Sequence, residues 1–247
     1  MKLQVPLLPE AASEFAPQVD ALYFFLVGVS VFFTVGIGVA ILLFVIKYRR
    51  RSDDDKPAEI HGSNVLEITW SVIPLIIAMV IFFWGAHIYF NMRIPPSDAM
   101  ERLVTGKQWM WKIQHPTGQR EINSLHLPLG QPVKLTMTSE DVIHSFFVPA
   151  FRAKQDAVPG KYTQVWFTPT KVGSYHLLCA EFCGTEHSKM VGKVHVVSPA
   201  EYEAWLSGGA GAESPAAAGE RLFGSLGCLT CHSGLPNAQG PDMSGVF

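Results

Sequence analysis

The sequence predicts a two-helix transmembrane hairpin followed by an all-β sandwich or Greek-key barrel. Two apolar runs, 21–46 and 68–91, contain no Asp, Glu, Lys or Arg, and each exceeds the roughly 20 residues needed to cross a bilayer. Residues 97–206 then change to short runs of alternating apolar and polar residues separated by Pro and Gly, a pattern typical of half-buried strands. Many short strands in one region favour a sandwich or barrel.

The charges around the first apolar run predict the orientation of the hairpin. The basic cluster Lys47–Arg51 follows this run at once, and the positive-inside rule places such a cluster in the cytoplasm. Residues 47–67 are therefore predicted to form a cytoplasmic loop, with residues 1–20 and everything after the second run on the outer face. A cleaved signal peptide is the alternative, but the run is too long, starts late and has acidic residues before it.

The outer region supplies the candidate strands and a terminal helix. The candidate strands are Arg102–Thr105, Gln108–Gln114, Val133–Thr138, Tyr162–Phe167, Gly173–Leu178 and Val191–Val197, and the helix is Pro199–Leu206. The net charge of −2 gives no basic surface, so we expect no nucleic-acid partner.

A loop between the last two candidate strands carries four soft or borderline metal ligands. These are Cys179, Cys183, His187 and Met190, and His144 lies upstream on a different loop. Thiolate, imidazole and thioether together favour copper or zinc over magnesium or calcium. A rigid sandwich would hold the two loops at a fixed distance.

The residues alone leave several interpretations of this cluster open. The two cysteines could form a disulfide in an oxidising compartment, or join both histidines in a Cys2His2 zinc site. His144 could simply be a packed residue at the end of a strand. A mononuclear blue-copper site needs only one thiolate, so the second thiolate also allows two coppers bridged by both sulfurs.

The segment Cys179-x-Glu181-x-Cys183-x-x-x-His187-x-x-Met190, with His144 upstream, resembles the copper-A signature of cytochrome c oxidase subunit II. The resemblance extends over about residues 20–206, and it implies a cupredoxin-type outer domain. It also implies a mixed-valence copper pair bridged by both cysteines. His144 and Met190 would bind one copper, and His187 with the Glu181 backbone carbonyl would bind the other.

The resemblance implies a function as well. We expect an electron-transfer subunit of a respiratory oxidase in the cell membrane, with the N-terminus and the copper domain on the outer, periplasmic face. It would accept electrons from cytochrome c and pass them to catalytic subunit I, which works with the other oxidase subunits to reduce oxygen and pump protons. No catalytic residue is expected on this chain. The alternatives are the equivalent subunit of a copper-A-containing nitric oxide reductase and a membrane-anchored copper-delivery protein.

Three further residues receive roles from the resemblance. Electrons would enter at Trp109, whereas Trp111 would pack in the core; the alternative is that both tryptophans fill one face of a strand. The Glu181 side chain would bind a non-redox magnesium ion at the interface with subunit I. Glu67 would stand at the entrance of a proton path, although a carboxylate at the headgroup level is the simpler interpretation. The remaining outer and loop histidines are interpreted as structural; they are His61, His115, His126, His176 and His195.

The C-terminal residues predict a haem-binding segment. Residues 207–219 have the Gly, Ala and Ser content of a flexible linker, with a reach of roughly 20 Å. The run Cys228-x-x-Cys231-His232 predicts covalent haem c, because two thioethers fix the porphyrin and the histidine ligates the iron. A thioredoxin-like pair would need a βαβ context that the sequence lacks. Residues 220–247 thus resemble the short helical start of a c-type cytochrome domain, incomplete because Met243 lies too close to His232 to be the second axial ligand.

Overall fold

The structure is a computed structural model, and it describes residues 8–54, 56, 59, 61–207, 219–220, 222–223, 228, 232 and 240–241. The chain divides into two compact units, Met1–Ser198 and Pro199–Phe247. The first unit contains a helical hairpin and a β-sandwich. Most of the predicted linker and of the predicted haem segment, including Cys231 and Met243, lies outside the described residues.

The hairpin consists of helices α1, Ala16–Lys47, and α2, Asn64–Arg93. Both are long and apolar enough to cross a membrane. Helix α1 begins at Ala16, before the apolar run, and Pro17 lies in its first turn, where proline is tolerated. Helix α2 begins at Asn64 because the Ser63 hydroxyl accepts a hydrogen bond from the Leu66 N–H and caps the helix. The hairpin is therefore as predicted, with polar first turns added to the apolar runs.

Ten strands follow the hairpin. They are β1 Met100–Lys107, β2 Met110–Gln114, β3 Arg120–Ile122, β4 Ser124–Pro128, β5 Val133–Ser139, β6 His144–Val148, β7 Ala153–Ala157, β8 Thr163–Phe167, β9 Gly173–Cys179 and β10 Val191–Val197. One sheet has the order β3-β2-β1-β5-β8 and the other has the order β4-β10-β9-β6-β7. Only the β1–β5 and β4–β10 pairs are parallel among the pairs of the described sheets. The predicted fold class, a two-helix membrane hairpin followed by an all-β sandwich, is confirmed.

The core lies between the two sheets. Its largest fully buried side chains include Trp111, Phe146, Phe167 and Leu177, contributed by strands of both sheets. Burial alternates strictly along β5 and nearly so along β10, where the sequence also alternates. Apolar burial on this scale stabilises the sandwich by about 25 cal/mol per Å². The same core fixes the ends of β6 and β9, which carry two of the candidate ligands.

The N-terminal residues form part of the sandwich rather than a free arm. Ala12 donates its N–H to the Ala150 carbonyl and accepts from the Thr170 N–H, both at 2.9 Å, and it is fully buried. The Ser13 hydroxyl donates to the Phe151 carbonyl at 2.8 Å. The segment before α1 therefore lies on the same side of the hairpin as the sandwich, which agrees with the predicted outer location of both.

Helix α3, Pro199–Leu206, belongs to the second compact unit. The sequence had placed this helix at the end of the outer domain, within 97–206. Its existence and bounds agree with the prediction, whereas the first unit ends at Ser198.

Candidate copper centre

Strand pairing brings His144 and Cys179 together. His144 opens β6 and Cys179 closes β9, and these strands are antiparallel neighbours with Phe146 opposite Cys179. One further backbone bond, from the Ala180 N–H to the Ser145 carbonyl at 2.9 Å, extends the pairing past the end of β9. As a result, His144 Nδ1 lies 4.0 Å from Cys179 Sγ.

The loop after β9 folds back to bring the remaining ligand candidates to the same place. Gly184 has φ +119°, which a residue with a side chain rarely adopts. A short 3-10 turn at His187–Lys189 follows, and the Met190 N–H donates to the His187 carbonyl at 3.2 Å. These turns bury Cys183 and Met190, of which 3% and 0% remain exposed.

The donor atoms of the candidate ligands lie within about 4 Å of their nearest neighbours in this cluster. Cys183 Sγ lies 3.4 Å from His187 Nδ1, 3.9 Å from Met190 Sδ and 3.9 Å from Cys179 Sγ. Cys179 Sγ lies 3.2 Å from the Glu181 carbonyl oxygen. His144, Cys179 and Cys183 offer ligand atoms that all lie within 4.8 Å of one another.

Both cysteines of the loop are free thiols. Their 3.9 Å sulfur separation is almost twice the bond length of a disulfide. Burial raises the pKa of the Cys183 thiol to about 12, and the neighbouring Cys179 adds to the effect. A thiol with that pKa stays protonated at neutral pH unless a metal cation displaces the proton. The two sulfurs are therefore unbonded thiols, available to a cation that can displace their protons.

Asp141 and Gln108 hold this cluster from outside, and neither role was predicted from the sequence. Asp141 Oδ1 lies 2.8 Å from His144 Nε2, and Asp141 Oδ2 accepts from the Gln108 N–H at 2.7 Å. Burial opposes ionisation of Asp141, but these bonds outweigh it and lower its pKa to about 2. The Gln108 side chain and Trp109 Nε1 both donate to the Cys183 carbonyl, at 2.8 and 3.2 Å. Asp141 lies three residues before His144, and this spacing is the sequence signal that could have identified it as a partner of the histidine.

The two tryptophans of the β1–β2 region occupy different environments. Trp109 is partly exposed and contacts the ligand loop directly through its Nε1. Trp111 is fully buried and packs edge-on against His144 and Phe146, with ring centroids 5.9 and 5.2 Å apart. Both were predicted to lie in one strand, but the strand begins only at Met110 and Trp109 belongs to the turn.

Of the other predicted site residues, Glu67 lies away from the cluster, Glu181 lies in the ligand loop, and the haem segment lies only partly inside the described chain. Glu67 is exposed in the first turn of α2, and the Glu181 residue is exposed. In the second unit, the His232 N–H donates to the Cys228 carbonyl at 3.0 Å. His232 Nδ1 lies 2.9 Å from the Pro241 carbonyl oxygen.

Three of the histidines interpreted as structural form a cluster of their own. Glu121 accepts hydrogen bonds from His115 Nε2 at 2.8 Å and from His126 Nδ1 at 2.6 Å. The His126 ring stacks on His195 with centroids 4.7 Å apart. This cluster joins the two sheets at a place separate from the candidate copper ligands.

The fold and the cluster together indicate a membrane-anchored β-sandwich protein with a candidate site for a soft metal ion. Family comparison specifies which one: residues 2–88 match the transmembrane domain and residues 119–197 the periplasmic domain of cytochrome c oxidase subunit II. The chain belongs to this family. Membership implies a copper-A centre, and the His and Cys cluster fits a copper site.

Individual relatives agree with the family match. Cytochrome c oxidase subunit 2 of Alkalihalophilus pseudofirmus is 34% identical over 224 residues, covering 84% of this chain and 66% of the relative. The subunit 2 of Thermostichus vulcanus is 32% identical over 253 residues, covering 81% of this chain and 77% of the relative. The solved periplasmic domain of subunit II from Bradyrhizobium japonicum is 29% identical with a TM-score of 0.45, covering 46% of this chain and 95% of that domain.

Proposed function

We propose that this chain is the electron-transfer subunit of a respiratory haem-copper terminal oxidase. It accepts electrons from cytochrome c on the outer face of the membrane and passes them to the catalytic subunit, which reduces oxygen to water and pumps protons. The observation that carries the proposal is the convergence of two thiols, two imidazoles and a thioether in one cluster of a membrane-anchored domain, with three of the five side chains buried. Membership of the subunit II family supports the same function.

The donor set supports two coppers better than one zinc ion. Counting the Glu181 carbonyl, six donor groups meet here, whereas a structural zinc ion takes four. Each sulfur has one imidazole nitrogen beside it, so both thiolates can bridge. His144 Nδ1 and Met190 Sδ would bind one copper, and His187 Nδ1 and the Glu181 carbonyl would bind the other.

The protein's contribution is to keep these ligands fixed and dry. His144 and Met190 have no exposed surface and Cys183 has almost none. A buried and preorganised environment leaves little to rearrange when charge changes. When bound, the copper pair supplies a one-electron relay with the charge spread over two metals and two sulfurs. Burial also argues against copper delivery, which would require exposed and exchangeable ligands.

Trp109 is our proposed point of electron entry from the donor. Its ring reaches the surface, and its Nε1 hydrogen-bonds the backbone of a ligand residue, Cys183. It therefore offers a short covalent and hydrogen-bonded route inward. Trp111 has no exposed surface, which suits core packing instead.

The C-terminal segment is proposed to carry a covalent haem c that serves as the donor. The Pro241 carbonyl beside His232 Nδ1 fixes the tautomer and leaves Nε2 free to ligate iron. The His232 N–H donates to the Cys228 carbonyl at 3.0 Å, so these two residues lie close enough to serve one haem. Cys231 would form the second thioether. Tethering would keep the donor at mM effective concentration near the copper domain.

Two weaker assignments complete the proposal. The exposed Glu181 carboxylate would hold a magnesium ion together with residues of the catalytic subunit, because a hard cation prefers oxygen ligands. Glu67 would lie at the cytoplasmic entrance of a proton path, where the cap of α2 places it in the first helical turn.

Electron paramagnetic resonance of the oxidised protein, purified from membranes with its partner subunits, tests the copper assignment. We expect hyperfine structure from one electron shared by two copper nuclei. The variant Cys183→Ser should abolish this signal. The control Cys228→Ser removes one of the two proposed haem thioethers and should leave the copper signal unchanged. A spectrum of isolated mononuclear copper in the unmodified protein would refute the proposal.

Activity of the same preparation decides between the alternatives. Oxygen consumption with reduced cytochrome c is expected, and turnover with nitric oxide alone would identify the nitric oxide reductase subunit instead. Rapid loss of copper to a competing chelator would favour the delivery protein.

A further inference from the structure

We propose that Asp141 is a positioning residue that sets the reduction potential of the copper centre and joins its two ligand loops. The inference rests on the copper function proposed above. It starts from the observation that Asp141, outside the ligand set, contacts a ligand with one oxygen and a structural turn with the other.

The first oxygen of Asp141 determines which nitrogen of His144 faces the metal. Oδ1 lies 2.8 Å from Nε2, so this nitrogen carries the imidazole proton and donates a hydrogen bond to the carboxylate. Nδ1 then presents its lone pair towards Cys179 Sγ, 4.0 Å away. A carboxylate on the far nitrogen makes the imidazole a stronger electron donor to its metal. Stronger donation stabilises the oxidised metal and lowers its reduction potential.

The second oxygen connects His144 to the other ligand loop. Oδ2 accepts from the Gln108 N–H at 2.7 Å, and the Gln108 side chain donates to the Cys183 carbonyl at 2.8 Å. Trp109 Nε1 adds a parallel bond to the same carbonyl. A continuous path of hydrogen bonds therefore runs from one ligand histidine, through Asp141 and Gln108, to one ligand cysteine.

Only a carboxylate fits the donors that surround this position. Oδ1 also accepts from the Val142 N–H at 2.7 Å, so N–H groups face both oxygens. An asparagine would turn its NH2 group towards one of these donors and lose that bond. In either orientation it would also remove the negative charge from beside the imidazole. The His144 side chain is fully buried, so water cannot replace the lost partner.

The test compares three variants of the full protein in its oxidase complex. Asp141→Asn should raise the reduction potential of the copper centre, change the imidazole nitrogen coupling in pulsed electron paramagnetic resonance, and weaken copper retention roughly 10- to 100-fold. Asp141→Ala should shift the potential in the same direction by more. The matched control is Glu140→Gln, which removes the same charge at the neighbouring residue. The Glu140 side chain is exposed and contacts Lys107 and Lys112 but none of the candidate ligands.

The outcomes separate this inference from the copper proposal. If the unmodified protein shows no electron shared by two coppers, the proposed function fails. If that signal is present but Asp141→Asn has the potential and nitrogen coupling of Glu140→Gln, the positioning role is refuted, even if the variant melts at a lower temperature. Should Asp141→Asn fail to accumulate, Gln108→Leu provides the second measurement. It removes the bond to the Cys183 carbonyl and keeps the Asp141 bond, so it should weaken copper retention with little change in the nitrogen coupling of His144.

Discussion

The His144 ring shows how closely the candidate centre is surrounded at the scale of single residues. Asp141 bonds one nitrogen, Trp111 packs edge-on against the ring, and the backbone of Gly106 lies against its carbon edge. A Cβ placed on Gly106 would lie 2.8 Å from His144 Cδ2, closer than real side-chain contacts come. The imidazole thus has one available position, which is the condition for a metal ligand that must not move between oxidation states.

Replacing Gly106 by alanine should therefore disturb the copper centre more than the fold. The added methyl group must push the His144 ring away from the sulfurs, because the ring is rigid and buried. We expect copper content at equal chelator concentration to fall about 10-fold or more, as for other changes to the surroundings of a metal ligand. Metal analysis and the copper electron paramagnetic resonance spectrum measure the effect.

The control for this substitution is Gly38→Ala. Gly38 lies in α1 with nothing within 4 Å of its added Cβ, so copper content should not change. Equal copper retention in both variants would contradict the packing role of Gly106.

At the scale of secondary-structure elements, Glu121 joins the two sheets at the edge formed by β3 and β4. It accepts bonds from His115 Nε2 after β2, and from the ring and the backbone N–H of His126 in β4. Burial opposes the charged form, but these hydrogen bonds outweigh it and lower the pKa of Glu121 to about 2. A carboxylate whose pKa falls on folding stabilises the fold above its unfolded pKa.

This depressed pKa predicts acid sensitivity of the sandwich. The contribution of Glu121 to the free energy of unfolding should be complete above about pH 4.5 and should disappear as the pH falls towards 2. It amounts to ~3 kcal/mol, because each unit of pKa shift corresponds to about 1.4 kcal/mol. Glu121→Gln should lower the unfolding free energy at pH 7 and flatten its dependence on pH between 4.5 and 2. Denaturant unfolding followed by tryptophan fluorescence measures both.

The control for the acid dependence is Glu101→Gln. Glu101 is about half exposed and pairs with Lys134 at the surface, so its removal should change stability by less than about 1 kcal/mol. An unchanged pH profile in Glu121→Gln would contradict the role of this bridge.

The elements differ in how far the sequence could predict them. Strands β5 and β10 were predicted nearly to the residue because one face is buried and the other is not, so composition alternates. Strand β6 was missed because it is buried on nearly every position, and β7 because its residues are mostly polar. The convergence of the candidate ligands was predictable from the sequence motif, whereas Asp141 and Gln108 act through hydrogen bonds between elements distant in sequence. Such contacts leave no periodic pattern.

At the scale of the whole molecule, the sandwich and the hairpin are joined at several points within the first unit. Trp166 of β8 donates its Nε1 to the Asn91 carbonyl of α2 at 3.2 Å and packs edge-on against Phe15. Arg152 forms two 2.8 Å bonds to the Asp20 carboxylate in the first turns of α1. These contacts fix the copper cluster relative to the membrane spans, and hence relative to any partner that binds the spans.

Replacing Arg152 by alanine should loosen this connection without altering the copper cluster. The Arg152 and Asp20 side chains are only 9% and 20% exposed, and removing one partner of such a pair costs on the order of 3 kcal/mol. Amide hydrogen exchange at Ala12 and Glu14, whose N–H groups bond the sandwich, should become up to about 100-fold faster, since 1.4 kcal/mol is tenfold. The copper spectrum should stay the same, while electron transfer from copper to the catalytic subunit slows.

Lys171→Ala is the control, because its pair with Glu10 is exposed and should contribute little. Unchanged exchange at Ala12 in Arg152→Ala would show that the apolar contacts of Phe15 and Trp166 alone hold the hairpin to the sandwich.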